Sequence, residues 1–231
     1  MKSPPAARRD LDEVIVNIEL TLASIVQGLA LSFLADNAAT VLAKGLATAW
    51  PYVAVAFLII LLFWSRALIH TLTLIRWPLE FVHNFFYFAC ALVEVLAFKH
   101  LADPFMWFML NAVFAALVWA LFVHDLRIIR QRKRDSVGEN SSRLYAIVLA
   151  DQWANIRYVV PGVFLFSLGS ALAIKWAPDL FIRRHGHLLL VGVQLIGFLF
   201  NLGLIIRSFS RITPLISATR AEWKDDVEEA I

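Results

Sequence analysis

Small and polar side chains follow one another along the first apolar segment of the sequence. Asn17, Thr21, Ser24, Gly28 and Ser32 are spaced by three or four residues, which places them on one face of a helix and defines a polar stripe. Polar groups inside a membrane usually face a protein interior or a water-filled path, so one interpretation is a helix that lines a pore. Small residues at this spacing also let two helices pack closely. The sequence leaves both interpretations open.

Four basic residues, Arg130, Arg132, Lys133 and Arg134, lie close together between the fourth and fifth apolar segments. Positive groups in such a cluster can bind an anionic lipid headgroup, a nucleotide or an oligonucleotide. Orientation of the chain by its positive residues explains the same cluster without any ligand. We therefore treat these four residues as ligand-binding candidates in an alternative interpretation of the function.

The residue patterns of familiar catalytic and metal sites are missing from the sequence. It has no His-Glu-x-x-His pair to hold zinc and no Gly-rich loop to cradle a phosphate. Cys90 is the single cysteine, which excludes an intrachain disulfide and a cysteine-based metal site. His70 and His83, which lie in apolar segments, are interpreted as partners in hydrogen bonds between helices. We predict a protein that is not an enzyme, with no catalytic residue, no metal ligand and no cofactor.

The composition of the chain indicates where these residues lie. Of 231 residues, 60% are hydrophobic and 17% are charged, and the mean hydropathy is +0.71. A soluble protein carries about 25% charged residues, and one aqueous core of this size cannot bury so much apolar surface. The composition excludes an ordinary soluble enzyme, a disordered chain and a secreted disulfide scaffold. It predicts an integral membrane protein.

Segments long enough to cross a bilayer can be counted directly, since each spanning helix needs about 20 mostly apolar residues. Alternating strands of the kind that build a membrane barrel are absent from the sequence, so every span is predicted to be a helix. Six segments qualify: Val14–Ala35, Pro51–Trp77, Leu79–Phe98, Pro104–Leu126, Tyr158–Trp176 and Leu188–Ile206. The predicted class is an all-α, polytopic membrane protein with six transmembrane helices.

The remaining segments are polar and define the predicted organisation. We expect a short N-terminal arm at residues 1–13, a six-helix transmembrane domain at residues 14–212 and a C-terminal tail at residues 213–231. Inside the domain we expect a basic loop at residues 127–143 and an amphipathic segment at residues 144–157. Most of the 21 Lys and Arg residues fall on the side of the termini and of this loop. Since positive residues collect on the cytoplasmic side, we predict a cell-membrane (inner-membrane) protein with both termini in the cytoplasm.

Six spans joined mostly by short loops, with an unusually polar first helix, resemble the bacterial relatives of the lysosomal potassium-leak channel, the transmembrane-protein-175 family. The resemblance covers chiefly Ala23–Ser32 and Trp50–Asn84. Phe63-Trp64-Ser65-Arg66 followed by His70 is similar to the aromatic-Trp then His pattern of that family, and Asn84 matches an Asn position. The resemblance implies a tetramer whose first helices line the pore and whose aliphatic side chains form the constriction.

The chain departs from this family in the first helix. The family motif is R-x-x-x-F-S-D, whereas the corresponding stretch here, Leu20–Ile25, has Ser24 alone and lacks the Arg, Phe and Asp. If the architecture is shared, Ile25, Leu29 and Ser32 are the positions expected at the constriction and along the pore. The absent motif residues mean that potassium selectivity does not follow from the resemblance.

These observations lead to a first hypothesis for function. The chain forms a homo-oligomeric channel, with a tetramer favoured, in membrane lipid, and conducts monovalent cations. The pore-lining residues are Asn17, Thr21, Ser24, Ile25, Gly28, Leu29 and Ser32. Acidic residues near the pore ends, Glu13, Glu19 and Asp36, favour cations over anions.

Two other classes of function remain open. In one, the chain is a membrane effector of antiviral defence, and a nucleotide or oligonucleotide on the basic residues Arg130, Arg132, Lys133 and Arg134 gates the pore. In the other, it is a small transporter or an accessory membrane subunit. A transporter usually shows broken helices or an inverted repeat, and neither is visible in the sequence.

Overall fold

The computed structural model describes residues 5–73, 81–136 and 138–228, and the side chains of residues 11–73, 81–134, 136 and 138–219. This part of the chain is helical apart from short connections, and it contains no strand. Its α-helices are α1 (Pro5–Ala43), α2 (Trp50–Thr73), α3 (Phe81–Phe98), α4 (Pro104–Asp135), α5 (Glu139–Ala154), α6 (Val160–Trp176) and α7 (His187–Glu228).

Six helical segments of the described chain are long and apolar enough to cross a membrane. Helices α1, α3, α4 and α7 each contain one of them. Helix α2 with the short helical turn before it forms another, Ala47–Thr73, and α5 and α6 together form the sixth, Glu139–Trp176. The predicted all-helical class and the predicted number of spans are confirmed. Six such segments are what a multi-pass membrane protein requires.

Three helices, α1, α4 and α7, are much longer than the predicted spans. Helix α1 begins at Pro5 and ends at Ala43, and α7 continues through Pro214 to Glu228. The predicted arm at residues 1–13 and tail at residues 213–231 are therefore largely helical extensions of the first and last spans, as far as they are described. The cause is general: an apolar run reports only the part of a helix in hydrocarbon, whereas the backbone hydrogen bonds of a helix continue into polar turns.

The predicted basic loop at residues 127–143 is corrected by the structure. Helix α4 continues to Asp135 and α5 begins at Glu139, so the connection is a short turn around Ser136 and Gly138. Arg, Lys and Gln are good helix formers, and cations in the last turn interact favourably with the carboxyl end of a helix. The basic residues therefore lie on a helix end.

The predicted amphipathic segment at residues 144–157 is mostly helix α5, which continues into α6. Leu144, Tyr145 and Val148 pack against Ile129 of α4 and Ile205 of α7 in one hydrophobic core. A π-helical turn at Asn155–Val159 joins α5 to α6 just before Pro161. Proline has no N–H for the carbonyl four residues earlier, and a π-type turn is one way in which a helix accommodates this loss.

The largest core lies in the half of the bundle that holds the amino ends of α2, α4 and α7. Tyr52, Phe98, Trp107 and Phe108 are almost fully buried there, beside Val191. Helix α4 packs against α3 and α6, while α2 packs against α1 and α7. This arrangement leaves α1 at the outside of the bundle, where one of its faces has no neighbour among the described residues.

Candidate functional site

The polar stripe of α1 lies on the outer surface of the chain. Asn17, Thr21, Ser24, Gly28 and Ser32 are all exposed, and a Cβ added at Gly28 would meet no atom within 4 Å. The two predicted constriction residues lie on the same side of the helix, with Ile25 63% and Leu29 58% exposed. The structure therefore brings together, on one exposed surface, all seven residues predicted to line a pore.

The opposite face of α1 is packed and carries its own polar residues. Ala23, Gln27 and Ala30 are buried, as is Glu19. Asn84 of α3 donates a hydrogen bond from Nδ2 to Oε1 of Glu19 at 2.8 Å. The Tyr87 hydroxyl donates to the Ala23 carbonyl at 3.4 Å. These contacts with α3 set the rotation of α1 about its axis.

A third contact of this face lies deeper in the bundle. Gln27 donates from Nε2 to Oε2 of Glu94 at 3.5 Å, and both side chains are buried. Because Glu19 is also turned inward, it is not available to an ion beside the polar stripe. This corrects its expected place among the acidic residues of the pore ends, whereas Glu13 and Asp36 are exposed.

The four basic residues lie on the last turns of α4. The Arg130 guanidinium lies over the Trp153 ring, 5.4 Å from its centroid, and Lys133 and Arg134 are exposed. Arg132 is half-buried. The structure therefore places three of the four candidates on the surface, with the charge of Arg130 held against an aromatic ring of α5.

A second polar group, absent from the predicted sites, lies between three helices. We call it the His–Asp–His cluster: His70 of α2, His83 of α3 and Asp125 of α4. The side chains of these residues are 6%, 8% and 1% exposed, in that order. Three potential metal ligands therefore meet inside the bundle, with their ligand atoms within 4.8 Å of one another.

The geometry of the cluster is asymmetric around the Asp125 carboxylate. Nδ1 of His83 is hydrogen-bonded to Oδ1 at 2.8 Å. Nδ1 of His70 lies 3.0 Å from Oδ2, but it is not aligned to donate to that atom. Oδ2 is buried and has no hydrogen-bond partner among the described residues. Both histidines thus turn the same ring nitrogen toward one carboxylate, and one carboxylate oxygen is left unsatisfied.

An aromatic ring and two hydrogen bonds between helices lie next to the cluster. The Phe122 ring lies against His70, with the ring centroids 5.6 Å apart, and the Phe122 carbonyl accepts a hydrogen bond from Gln152 at 2.8 Å. Tyr145 donates its hydroxyl to the Thr73 carbonyl at 3.3 Å. These two hydrogen bonds join α2 and α4 to α5 beside the cluster.

Arg66 lies one turn before His70 on α2, and its charge is taken up elsewhere. It forms an ion pair with Asp151 of α5 and donates from Nη2 to Oδ1 of Asn155 at 3.3 Å. Asn155 in turn donates to Oδ2 of Asp151 at 3.1 Å. This pairing between helices leaves Asp125 facing two imidazole rings as its charged or titratable neighbours among the described contacts.

The sequence alone predicts hydrogen bonds for His70 and His83 and does not single out Asp125. One signal could have found the group. Consecutive spans run in opposite directions, so the carboxyl end of α2, the amino end of α3 and the later part of α4 lie at the same end of the bundle. Histidine or aspartate occurs near that end in each of the three helices, and this shared depth predicts that they can meet.

Comparisons of the chain with protein-family models, with curated proteins and with solved structures find no match. The structure itself defines the class: an all-helical chain whose described part has six helical segments long and apolar enough to span a membrane. Its function has to be argued from the exposed polar stripe of α1 and from the buried His–Asp–His cluster.

Proposed function

We propose that the chain is the protomer of a homo-oligomeric channel in which α1 of each copy lines a pore that conducts monovalent cations. One observation carries this proposal: the polar stripe points away from the rest of its own bundle. In a single copy this stripe would face hydrocarbon, where polar groups are costly. Several copies around a common axis would turn the stripe toward water.

The alternative cover for the stripe is direct packing of α1 against α1 of another copy, since Ser24, Gly28 and Ser32 permit close contact. The residues beside them favour a pore. Ile25 and Leu29 are exposed on the same side, and around an axis they would form an apolar constriction of the kind that gates by dewetting. Four copies are proposed from the resemblance of the sequence to the transmembrane-protein-175 family.

The preference for cations rests on the charges at the two ends of the stripe. Glu13 precedes it and Asp36 follows it, and both side chains are exposed. A ring of carboxylates at each mouth would raise the local concentration of cations. The excess of Lys and Arg near the termini supports an orientation with both termini in the cytoplasm of a cell-membrane protein.

The test is ion flux from proteoliposomes that contain the purified protein, measured separately for K⁺, Na⁺ and Cl⁻. We expect flux of the two cations to exceed that of chloride, and Gly28→Leu to reduce it strongly. Gly203→Leu is the matched control, because Gly203 is an exposed glycine of α7 with no atom within 4 Å of an added Cβ. Equal flux in wild type, Gly28→Leu and Gly203→Leu would show that α1 does not line the pore.

A second candidate function, a channel gated by a nucleotide or oligonucleotide, is supported by the exposed Lys133 and Arg134 at the end of α4. The same liposomes test it when short single-stranded DNA or a nucleotide is added on the basic side. Ligand-dependent flux that is lost in the double variant Lys133→Gln, Arg134→Gln would favour gating. Absence of flux under every condition would instead favour a transporter or an accessory subunit.

A further inference from the structure

We infer that the His–Asp–His cluster is the binding site of a divalent transition-metal ion, with Zn²⁺ the best fit, held by His70, His83 and Asp125. The ion would tie α2, α3 and α4 together at one end of the bundle. This role is separate from conduction through α1, so the two proposals can fail independently.

The side chains of the cluster are of types that bind Zn²⁺. Imidazole nitrogen and carboxylate oxygen are both common zinc ligands, and sites with three protein ligands keep a fourth position for water or another group. Two histidines and one carboxylate also suit other borderline divalent ions, with affinities that rise from Mn²⁺ toward Cu²⁺. Hard cations such as Mg²⁺ prefer oxygen ligands alone, which argues against them here.

The distances between the ligand atoms can be compared with those of a zinc site. In a tetrahedral zinc site with ligands at about 2.0–2.1 Å, neighbouring ligand atoms are about 3.3 Å apart. The Nδ1 atoms of His83 and His70 lie 2.8 and 3.0 Å from the two oxygens of Asp125. All three ligand atoms lie within 4.8 Å of one another, so adjustments of the side chains would bring them around one ion.

The unsatisfied Oδ2 atom of Asp125 is further support for a bound ion. If the cluster were only a hydrogen-bond network, both histidines should donate to the carboxylate, because buried polar atoms are nearly always paired. Nδ1 of His70 approaches Oδ2 without the alignment of a donor, and this buried oxygen has no other partner among the described residues. Two nitrogens and one carboxylate converging from three helices are the arrangement that a shared cation produces.

The buried carboxylate of Asp125 also needs a partner that compensates its charge. An ionised carboxylate in an apolar surrounding is costly unless it is paired or coordinates a metal. Arg66 already pairs with Asp151, so it does not serve Asp125. A divalent ion would compensate the carboxylate charge and use the lone pairs of two neutral imidazoles at the same time.

The experiment measures metal content and Zn²⁺ affinity of the purified full-length protein in detergent, after removal of metal with a chelator. We expect one Zn²⁺ per chain and a thermal unfolding transition that rises with Zn²⁺ concentration. Asp125→Asn and His83→Gln should each weaken binding by at least about 100-fold, more than the loss of an outer-shell partner. His187→Gln is the matched control: it changes a buried histidine that contacts Tyr52, and it should bind Zn²⁺ as wild type does.

Two results would overturn the proposal. One is the absence of saturable Zn²⁺, Co²⁺ or Mn²⁺ binding to the folded wild-type protein, and the other is binding that the two ligand variants retain in full. If these variants do not purify as monodisperse helical protein, X-ray absorption of the Zn²⁺-loaded wild type decides. A first coordination shell with two histidine nitrogens supports the site, and a shell without histidine contradicts it. Neither readout depends on ion flux.

Discussion

The polar stripe of α1 and the His–Asp–His cluster are two polar regions of the chain, and they are covered in opposite ways. The stripe is formed by neighbours on one helix, and all of its residues are exposed. The cluster is formed by residues of three helices, all of them buried. Polar groups in a bilayer have to meet protein or water. The chain provides that cover itself for the cluster, whereas the stripe needs water or another copy.

This difference indicates which polar groups one copy can stabilise by itself and which need water or a second copy. Replacement of a cluster residue should affect the free energy of unfolding of one chain. Replacement of an exposed stripe residue should affect association or conduction, with little effect on the unfolding of one chain.

The largest effect is expected for Asp125→Ala. Removal of one partner from a buried ion pair typically costs about 3–5 kcal/mol. Here His83 would lose its hydrogen-bond acceptor, and His70 would lose the carboxylate oxygen that lies nearest to its Nδ1 atom. The free energy of unfolding, measured by denaturation with sodium dodecyl sulfate in mixed micelles, should fall by about that amount. Asp36→Ala is the control, since this exposed aspartate should change stability by less than about 0.5 kcal/mol. Equal losses of unfolding free energy in both variants would show that the buried Asp125 contributes no more to stability than an exposed aspartate does.

The next effect concerns access of water to the stripe. Ser24→Cys in proteoliposomes should react with a small water-soluble thiol reagent, and the reaction should reduce cation flux. Ile196→Cys is the control, because Ile196 is exposed on α7, away from the stripe, and we expect this position to face lipid. The native Cys90 is fully buried and gives a low background.

The outcome of this labelling decides between the two ways of covering the stripe. Reaction of Ser24→Cys in detergent but not in liposomes would mean that another helix packs against the stripe. Equal reaction of Ser24→Cys and Ile196→Cys in liposomes would also contradict a pore, since nothing would then distinguish the stripe from a lipid-facing surface.

Part of this architecture can be predicted from the sequence. The number of spans follows from the length of the apolar runs, and the polar stripe follows from a spacing of three or four residues. The direction in which the stripe points does not follow. It depends on Glu19 and Gln27 meeting Asn84 and Glu94, which are 65 and 67 positions away in the chain.

The cluster was missed for a related reason. His83 and Asp125 are 42 positions apart, and no local spacing connects them. Each residue by itself looks like a polar group that will find some hydrogen bond between helices. Their meeting depends on which helices are neighbours, and the packing of α4 against α3 is decided by complementary shapes of many apolar side chains. Ligands that come from separate helices are therefore visible only once the bundle is assembled.

A smaller effect is expected at the contact that orients α1. In a double-mutant cycle, Glu19→Ala and Asn84→Ala should show a coupling energy of about 0.6 kcal/mol, the average for hydrogen bonds between membrane helices. The cycle of Glu13→Ala with Asn84→Ala is the control, since Glu13 is exposed near the start of the same helix. Additive effects in the first cycle would mean that Glu19 and Asn84 do not set the rotation of α1, and the direction of the stripe would need another cause.

The smallest effect is expected at Thr21, and it limits how the stripe can be interpreted. The Thr21 hydroxyl donates to the Asn17 carbonyl of its own helix at 2.8 Å, so its polar group is satisfied without water or a neighbour. No hydrogen bond of the Ser24 hydroxyl occurs within the described residues, so this group depends on what covers the stripe. Thr21→Val, which keeps the side-chain shape, should change stability by less than about 0.5 kcal/mol and should lower cation flux less than Ser24→Val does. A larger loss of flux in Thr21→Val would show that a hydroxyl bonded to its own helix still interacts with the ion path, and membership of the exposed face, rather than a free hydroxyl, would then define the pore lining.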